Sequence, residues 1–432
     1  MKTALVWFKT DLRLHDNETL LRAVEQNDFI IPVYCFDDSH FGSTKYGFQK
    51  TGSFRAQFLL ESLADLDQNL RKRGSGLTIV RGNPAVQIVE LAQKWNAQLL
   101  YTAEEDAAEE LHTIAELQMG LRKINCEIRT FRTSTLYREK ELPFPIAGIP
   151  DIFTDFRKQV ERSSIIDQPL HAPVVIKSPL IEPLHLPSLP ELGLELVTAD
   201  SRSAIRFQGG ETAGLKRLKY YLFETDAVSE YKQNRNGMVG DRYSSKFSAW
   251  LGLGCLSAIE IFSQLKKYEA ERGANESTYW LFFELLWRDY FRWIMRKYKQ
   301  RFFSFKGIKD KKPYDKIHHQ EKLESWVNAK TGNDFIDACM LELKLTGFMS
   351  NRGRQNVASY LCNELQLDWR YGAAYFEQQL IDYDVCSNWG NWAYVAGAGN
   401  DPRGKRIFNI EKQALDYDKD HAFRNLWLKQ RC

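Results

Sequence analysis

Residues 3–36 read TALVWFKTDLRLHDNETLLRAVEQNDFIIPVYCF, and this stretch decides the fold. TALVWF (3–8) and FIIPVYCF (29–36) are short apolar runs, and the segment between them, 17–26, is amphipathic with helical spacing. Two buried strands joined by a helix of this length form a right-handed βαβ unit with parallel strands. The pattern continues outward. LTIV (77–80), AQLLYT (97–102) and EIRTF (127–131) predict three more strands, separated by helices over 53–73, 84–95 and 107–123. Asn83 before Pro84 suits a helix start, with Asn as the cap and Pro at the first helical position. The first 132 residues therefore predict a doubly wound α/β domain on a parallel five-stranded sheet.

Beyond it the character changes twice. Nine of the thirteen prolines fall between 143 and 190, which predicts an extended connector over 133–203. From about 204 to 432 apolar residues recur at helical spacing, over 211–223, 257–271, 276–298, 334–345, 355–365 and 371–381, so this half is read as an all-α domain with irregular loops. No run of about 18 apolar residues occurs, so no membrane partner is expected. Asp11, Arg13 and Asp16 interrupt the place where a signal peptide needs its apolar stretch, and a cytoplasmic chain is expected. The seven cysteines are scattered without a CxxC pair and the eight histidines show no metal-binding spacing, so free thiols and no metal are expected. Formal net charge is +3, with the excess of basic residues in the C-terminal half, as a polyanion partner would favour.

Four segments of that half carry chemistry. In ESTYWLFFELLWRDYFRWIMRKY (276–298), Glu284, Trp287, Arg288 and Phe291 share one helix face. An aromatic stripe ordinarily packs a core, but a carboxylate within it needs a partner or a shifted pKa, and Glu beside Trp suits a flat polar ring. In YSSKFSAWLGLGCLS (243–257), hydroxyls, Lys246 and a helix start form a candidate anion cradle; a simple capped turn is the alternative. TGFMSNRGRQNVASYL (346–361) gathers Asn351, Arg352, Arg354 and Gln355 at a helix start or in a solvated basic loop. LIDYDVCSNWGNWAYVAGAGNDPRG (380–404) reads as a loop folded against a flat cofactor; Asp382 and Asp384 lack the third ligand that a metal would need.

Together with FKTDLRLHDN near the start, the forms GGETAGLKRLKYYL, YKQNRNG, SSKFS, NRGRQNVAS and DVCSNWGNW resemble the DNA photolyase/cryptochrome family, and its DASH branch in particular, over nearly the whole chain. The resemblance implies a blue-light flavoprotein that binds DNA as a monomer and repairs cyclobutane pyrimidine dimers, preferably in single strands, by electron donation from reduced FAD. The alternative it leaves is a photoreceptor that signals without repair. A dark-acting oxidoreductase fits poorly, because no GxGxxG fingerprint is present.

Residue by residue, the resemblance assigns Tyr231, Ser244, Ser245, Lys246, Phe247 and Ser248 to FAD, with the hydroxyls facing its phosphates. Arg354 and Asp382 match an ion pair beside the flavin ring; Arg288, Tyr383 and Asp384 match neighbouring cofactor positions, and Asn388 matches the side chain at the ring's N5. Glu284, Trp287, Asn351, Gln355 and Tyr394 match the pocket for a flipped dimer. Glu109 matches the carboxylate that binds a methenyltetrahydrofolate antenna, although a surface helix charge is the competing reading. Trp392 and Trp369 match the inner and middle members of an electron relay. Its outer member falls at Lys316, which cannot be oxidised, so either the relay ends at Trp369 or a nearby Tyr or Trp, such as Tyr314 or Tyr375, takes its place. Histidines that (6-4) photoproduct enzymes need are absent at Asn351 and Gln355. Asn333 and Asp334 also depart from the family pattern, with Asp334 readable as a helix cap.

Overall fold

A computed structural model describes residues 2–429, so Cys432 lies outside the described residues. Strands β1 (Thr3–Phe8), β2 (Phe29–Phe36), β3 (Thr78–Arg81), β4 (Leu99–Ala103) and β5 (Glu127–Phe131) form one sheet in the order β3-β2-β1-β4-β5. Every neighbouring pair is parallel, with Thr3 opposite Phe29 and Ala4 opposite Leu99. Helices α1 (Glu18–Gln26), α2 (Ser53–Arg71), α3 (Pro84–Lys94) and α4 (Ala108–Arg122) supply the crossovers. Alternation along β1 sets the two faces. Leu5 and Trp7 pack with Ile88, Leu91, Leu117 and Leu121 of α3 and α4, whereas Ala4, Val6 and Phe8 join the larger core shared with the helical half. Asn83 does cap α3, accepting from the Ala85 N–H with Pro84 at the first position.

The segment after β5 departs from the expected extended connector. It holds α5 (Phe153–Ser163), because 151–168 is free of proline and places Phe153, Phe156 and Val160 on one buried face. Helices α6 (Glu211–Lys219), α7 (Tyr231–Asn234), α8 (Ser248–Gly252), α9 (Ala258–Arg272), α10 (Glu276–Tyr298), α11 (Gln320–Val327), α12 (Asp334–Thr346), α13 (Asn351–Asn363), α14 (Trp369–Gln379), α15 (Val385–Ala396), α16 (Ile410–Tyr417) and α17 (Ala422–Leu428) build the rest. The N-cap of α12 is Asn333, with Asp334 as its first residue.

A second departure concerns 380–404. Its central part is α15, not a loop. Asp384 caps it by accepting from the Ser387 N–H, and Gly390, a poor helix former, is retained because a Cβ there would lie 2.3 Å from the Phe291 ring.

The two halves are joined through buried polar groups. The Arg13 guanidinium donates to the carbonyls of Gly254 (2.9 Å), Asp16 (2.7 Å) and Thr133 (2.8 Å). Glu211, at the start of α6, accepts from the Leu14 and His15 backbone N–H groups at 2.8 and 3.0 Å. Arg292 of α10 bridges Asp106, just before α4, and Asp384, with Asp106 also held by Arg132 at 2.7 Å. Glu211, Asp106 and Asp384 thus each have a guanidinium or backbone N–H partner, as burial of charge requires.

Candidate functional site

The helical half encloses a cavity of about 780 Å³. Helix α10 supplies one wall, and its capping box at Asn275 and Thr278 fixes where the helix begins. From there Glu284, Trp287, Arg288 and Phe291 all face the cavity, which is the face that their spacing defines. Helices α13 and α15 and the Ser244–Ser248 turn close the other sides.

At one end lies the turn. Ser244, Ser245, Lys246, Phe247 and Ser248 line the cavity together with Tyr231. Lys246 is held at φ +58, a left-handed conformation that is uncommon for non-glycine residues. Its ammonium is buried, sits 3.4 Å from the centroid of the Tyr243 ring, and meets only the Asp241 carbonyl at 3.4 Å. No carboxylate pairs with it among the described residues. Burial pushes its pKa down to about 7, with nearby Arg217 adding to the shift. A buried cation beside hydroxyls and in contact with no carboxylate is the donor set that a diphosphate completes.

Deeper in, Arg354 forks onto Asp382 at 2.8 and 3.0 Å, and its Nε donates to the Met349 carbonyl. Asp384 caps α15 and pairs with Arg292, whose guanidinium holds the carboxyl below its ordinary pKa against the effect of burial. Tyr383 lies between them under the Arg55 guanidinium, 4.3 Å from its ring centroid. Asn388 uses its amide N–H to tie α15 to the Ala373 carbonyl at 2.9 Å; its other amide atom has no protein partner among the described residues. Arg288 donates to the Ser134 carbonyl and to Leu251 O at 3.2 Å, and burial beside Arg292 lowers its pKa to about 10. Volume, anion cradle, forked ion pair and amide together fit a folded flavin dinucleotide.

The outer part of the cavity is aromatic and polar. Trp287 stacks on Phe153 of α5 with centroids 3.8 Å apart and meets the Tyr394 ring edge-on at 5.8 Å. One indole face is therefore covered by the Phe153 ring. Gln355 is half-buried in the wall, and Asn351 is exposed at the rim. Glu284 is ion-paired with Arg235; burial raises its carboxyl pKa, and Arg235 opposes that shift.

The remaining candidates sit elsewhere. Trp392 lines the cavity, whereas Trp369 is fully buried behind it. Glu109 lies away from the cavity on the first turn of α4, 62% exposed and paired with Lys50. Neither Tyr314 nor Tyr375 has its ring against Trp369: the Tyr314 hydroxyl accepts from the Trp369 backbone N–H, and Tyr375 packs on Trp326 at 5.7 Å. Sequence reasoning missed Arg235, Phe153 and Arg406, the last donating to the Tyr394 hydroxyl at 2.7 Å. The need of Glu284 for a cation was visible, but nothing in the sequence pointed across 49 positions to Arg235.

Comparison with known proteins bears on what fills this cavity. Residues 4–174 match the DNA photolyase family, and residues 280–431 match the FAD binding domain of DNA photolyase. The chain is 50% identical over 431 residues to Cryptochrome DASH of Gloeobacter violaceus, covering 99% of this chain and 86% of that protein. Among solved structures, a Synechocystis cryptochrome superposes with a TM-score of 0.96 at 46% identity, covering 100% of this chain and 89% of the other. A bacterial class III photolyase from Agrobacterium tumefaciens superposes with a TM-score of 0.84 at 25% identity, covering 99% and 87%.

Proposed function

The chain belongs to the cryptochrome DASH branch of the DNA photolyase family, and from that premise we propose that it is a blue-light-dependent enzyme that repairs cyclobutane pyrimidine dimers, with a preference for single-stranded DNA. The observation that supports this most directly is the meeting of two sets of residues in one cavity. The anion cradle, the Arg354–Asp382 pair and Glu284, Trp287, Gln355 and Tyr394 all line it.

Reduced FAD, when bound, supplies one electron under blue light and takes it back after the dimer has split. The chain does the rest. Lys246 and the serines of 244–248 hold the diphosphate; Arg354 and Asp382 flank the ring and Asn388 presents its amide to it. Trp287, backed by Phe153, offers one face for stacking a flipped base. Glu284 meets the polar edge of the dimer, and Tyr394, edge-on against Trp287, extends the same wall of the pocket. Arg235, Arg352, Arg403 and Arg406 also line the cavity and can meet DNA phosphates around it.

Strand preference follows from pocket chemistry. Gln355 and the Tyr394 hydroxyl are polar, so extrusion of a dimer regains little stacking energy here. Flipping costs a few kcal/mol and is cheapest from a single strand. Illuminating the reduced protein with a dimer-containing oligonucleotide should restore thymine faster on single-stranded than on duplex substrate. Equal rates would remove the strand preference. No restored thymine on either substrate would leave the photoreceptor reading.

Glu109 is the proposed contact for a methenyltetrahydrofolate antenna. Its carboxylate is exposed to solvent, and the adjacent Glu110 has a buried oxygen without a partner and a pKa raised to about 7, mainly by burial. Natively purified protein should show a pterin absorbance band that Glu109→Gln removes. A flavin spectrum without that band would exclude the antenna.

A further inference from the structure

The indoles behind the cavity wall differ in what surrounds them. Trp392 lines the cavity and presses on α14 so closely that a Cβ on Gly372 would lie 2.2 Å from its ring. Trp369, three residues before Gly372 on the same helix, is fully buried. Beyond Trp369 the position expected to carry an oxidisable ring is Lys316, which is paired with Asp368 and lies 4.7 Å from the Phe305 ring centroid. Neither an ammonium nor a phenylalanine can give an electron to an oxidised indole. The tryptophan that does touch Trp369 is Trp389, with centroids 5.8 Å apart at 75°. Trp326 offers a competing branch, 6.1 Å from Trp392.

The indole N–H partners separate these branches. Loss of an electron makes an indole N–H strongly acidic, and the hole is trapped when that proton reaches a base. Trp326 donates to the Val357 carbonyl at 3.2 Å and Trp369 to the Phe305 carbonyl at 3.1 Å, and a peptide carbonyl is a poor base. Trp389 donates to a carboxylate, Glu377 Oε2, at 3.4 Å. Glu377 is buried and faces Arg55, Lys50, Glu109 and Tyr383 as well as Trp389. Trp389 also meets the half-buried Tyr46 ring at 6.3 Å.

We propose that Trp389 is the terminal member of the electron relay in this chain, with Glu377 as the acceptor of its indole proton. The proposal rests on FAD occupying the cavity. One electron leaves Trp392 and reduces the photoexcited flavin; the hole passes to Trp369 and then to Trp389. The Trp389 N–H proton moves to the Glu377 carboxylate, leaving a neutral indole radical. An external thiol returns one hydrogen atom to Trp389, and Glu377 releases its proton to solvent.

Time-resolved absorption and electron paramagnetic resonance of the FAD-loaded chain after a blue flash test this, with FAD content measured for every variant. The parent should give a long-lived neutral tryptophan radical. Trp389→Phe should abolish it, Trp389→Tyr should replace it with a tyrosyl signature, and Glu377→Gln should leave a short-lived cation radical in its place. A parent-like neutral radical in Trp389→Phe, or its loss in Trp326→Phe but not in Trp389→Phe, would overturn the relay. If a phenylalanine variant loses FAD, the tyrosyl signature of Trp389→Tyr decides. A parent chain that takes up no FAD would overturn the flavoprotein reading itself, and the relay with it.

Discussion

Replacing Glu284 with alanine should lower light-driven dimer repair by about 10²-fold, while glutamine should lower it by only about 10-fold, the scale expected for one group stabilising developing charge in a dry site. The ordering follows from what the side chain can do. Burial favours the neutral carboxyl of Glu284 and Arg235 favours the ionised one. In its neutral form the group donates to a dimer carbonyl as negative charge builds there. Glutamine keeps a donor in the same place; alanine keeps none and leaves Arg235 without its carboxylate. Binding to undamaged single strands should be unchanged or tighter, because the freed guanidinium can meet a phosphate. Retention of more than half of the repair rate in Glu284→Ala would sink this assignment.

The second large effect is on cofactor uptake. Without FAD, Lys246 loses its proton above about 7, because burial disfavours the ammonium. A diphosphate beside it supplies the missing counter-charge and returns its pKa toward the ordinary lysine value of about 10.4. Between those limits the bound state holds one more proton than the free state, so affinity for FAD falls as pH rises, by about tenfold per unit, and is flat below about pH 7. Three other groups face Lys246. They are Arg217, Asp241 and Glu342. Glu342 has its pKa raised to about 8 by burial, and on ionising adds a negative charge near the phosphate, which steepens the same trend. Titrating the apoprotein with FAD by flavin fluorescence between pH 7 and 9 checks this, and Lys246→Met should flatten the profile. A pH-independent dissociation constant in the parent would refute it.

The sheet was legible because its central strands β1, β2 and β4 are buried on both faces and read as short apolar runs; only the ends of β3 and β4 differ from the expected bounds, by one or two residues. Helix α10 was legible to the residue, since its apolar period runs unbroken from a capping asparagine to Tyr298. The misreading of 380–404 has a physical source. Asn and Gly are weak helix formers, so local preference argues for a loop, and only the Phe291 ring against Gly390 and the Asp384 cap reverse it. In the connector, a proline count over a wide window concealed the proline-free stretch that forms α5, and with it Phe153 against Trp287. The site residues that lay within motifs could be named in advance. Their partners Arg235 and Arg406 could not, because tertiary ion pairs leave no periodic trace.

The way Asp106 is shared has a consequence for how the polypeptide matures. Arg132 already satisfies that carboxylate before Arg292 has been synthesised, so the nascent sheet can complete itself on the ribosome. Arg292, made later, adds a second guanidinium to a carboxylate that is already paired and carries Asp384 to the same seam.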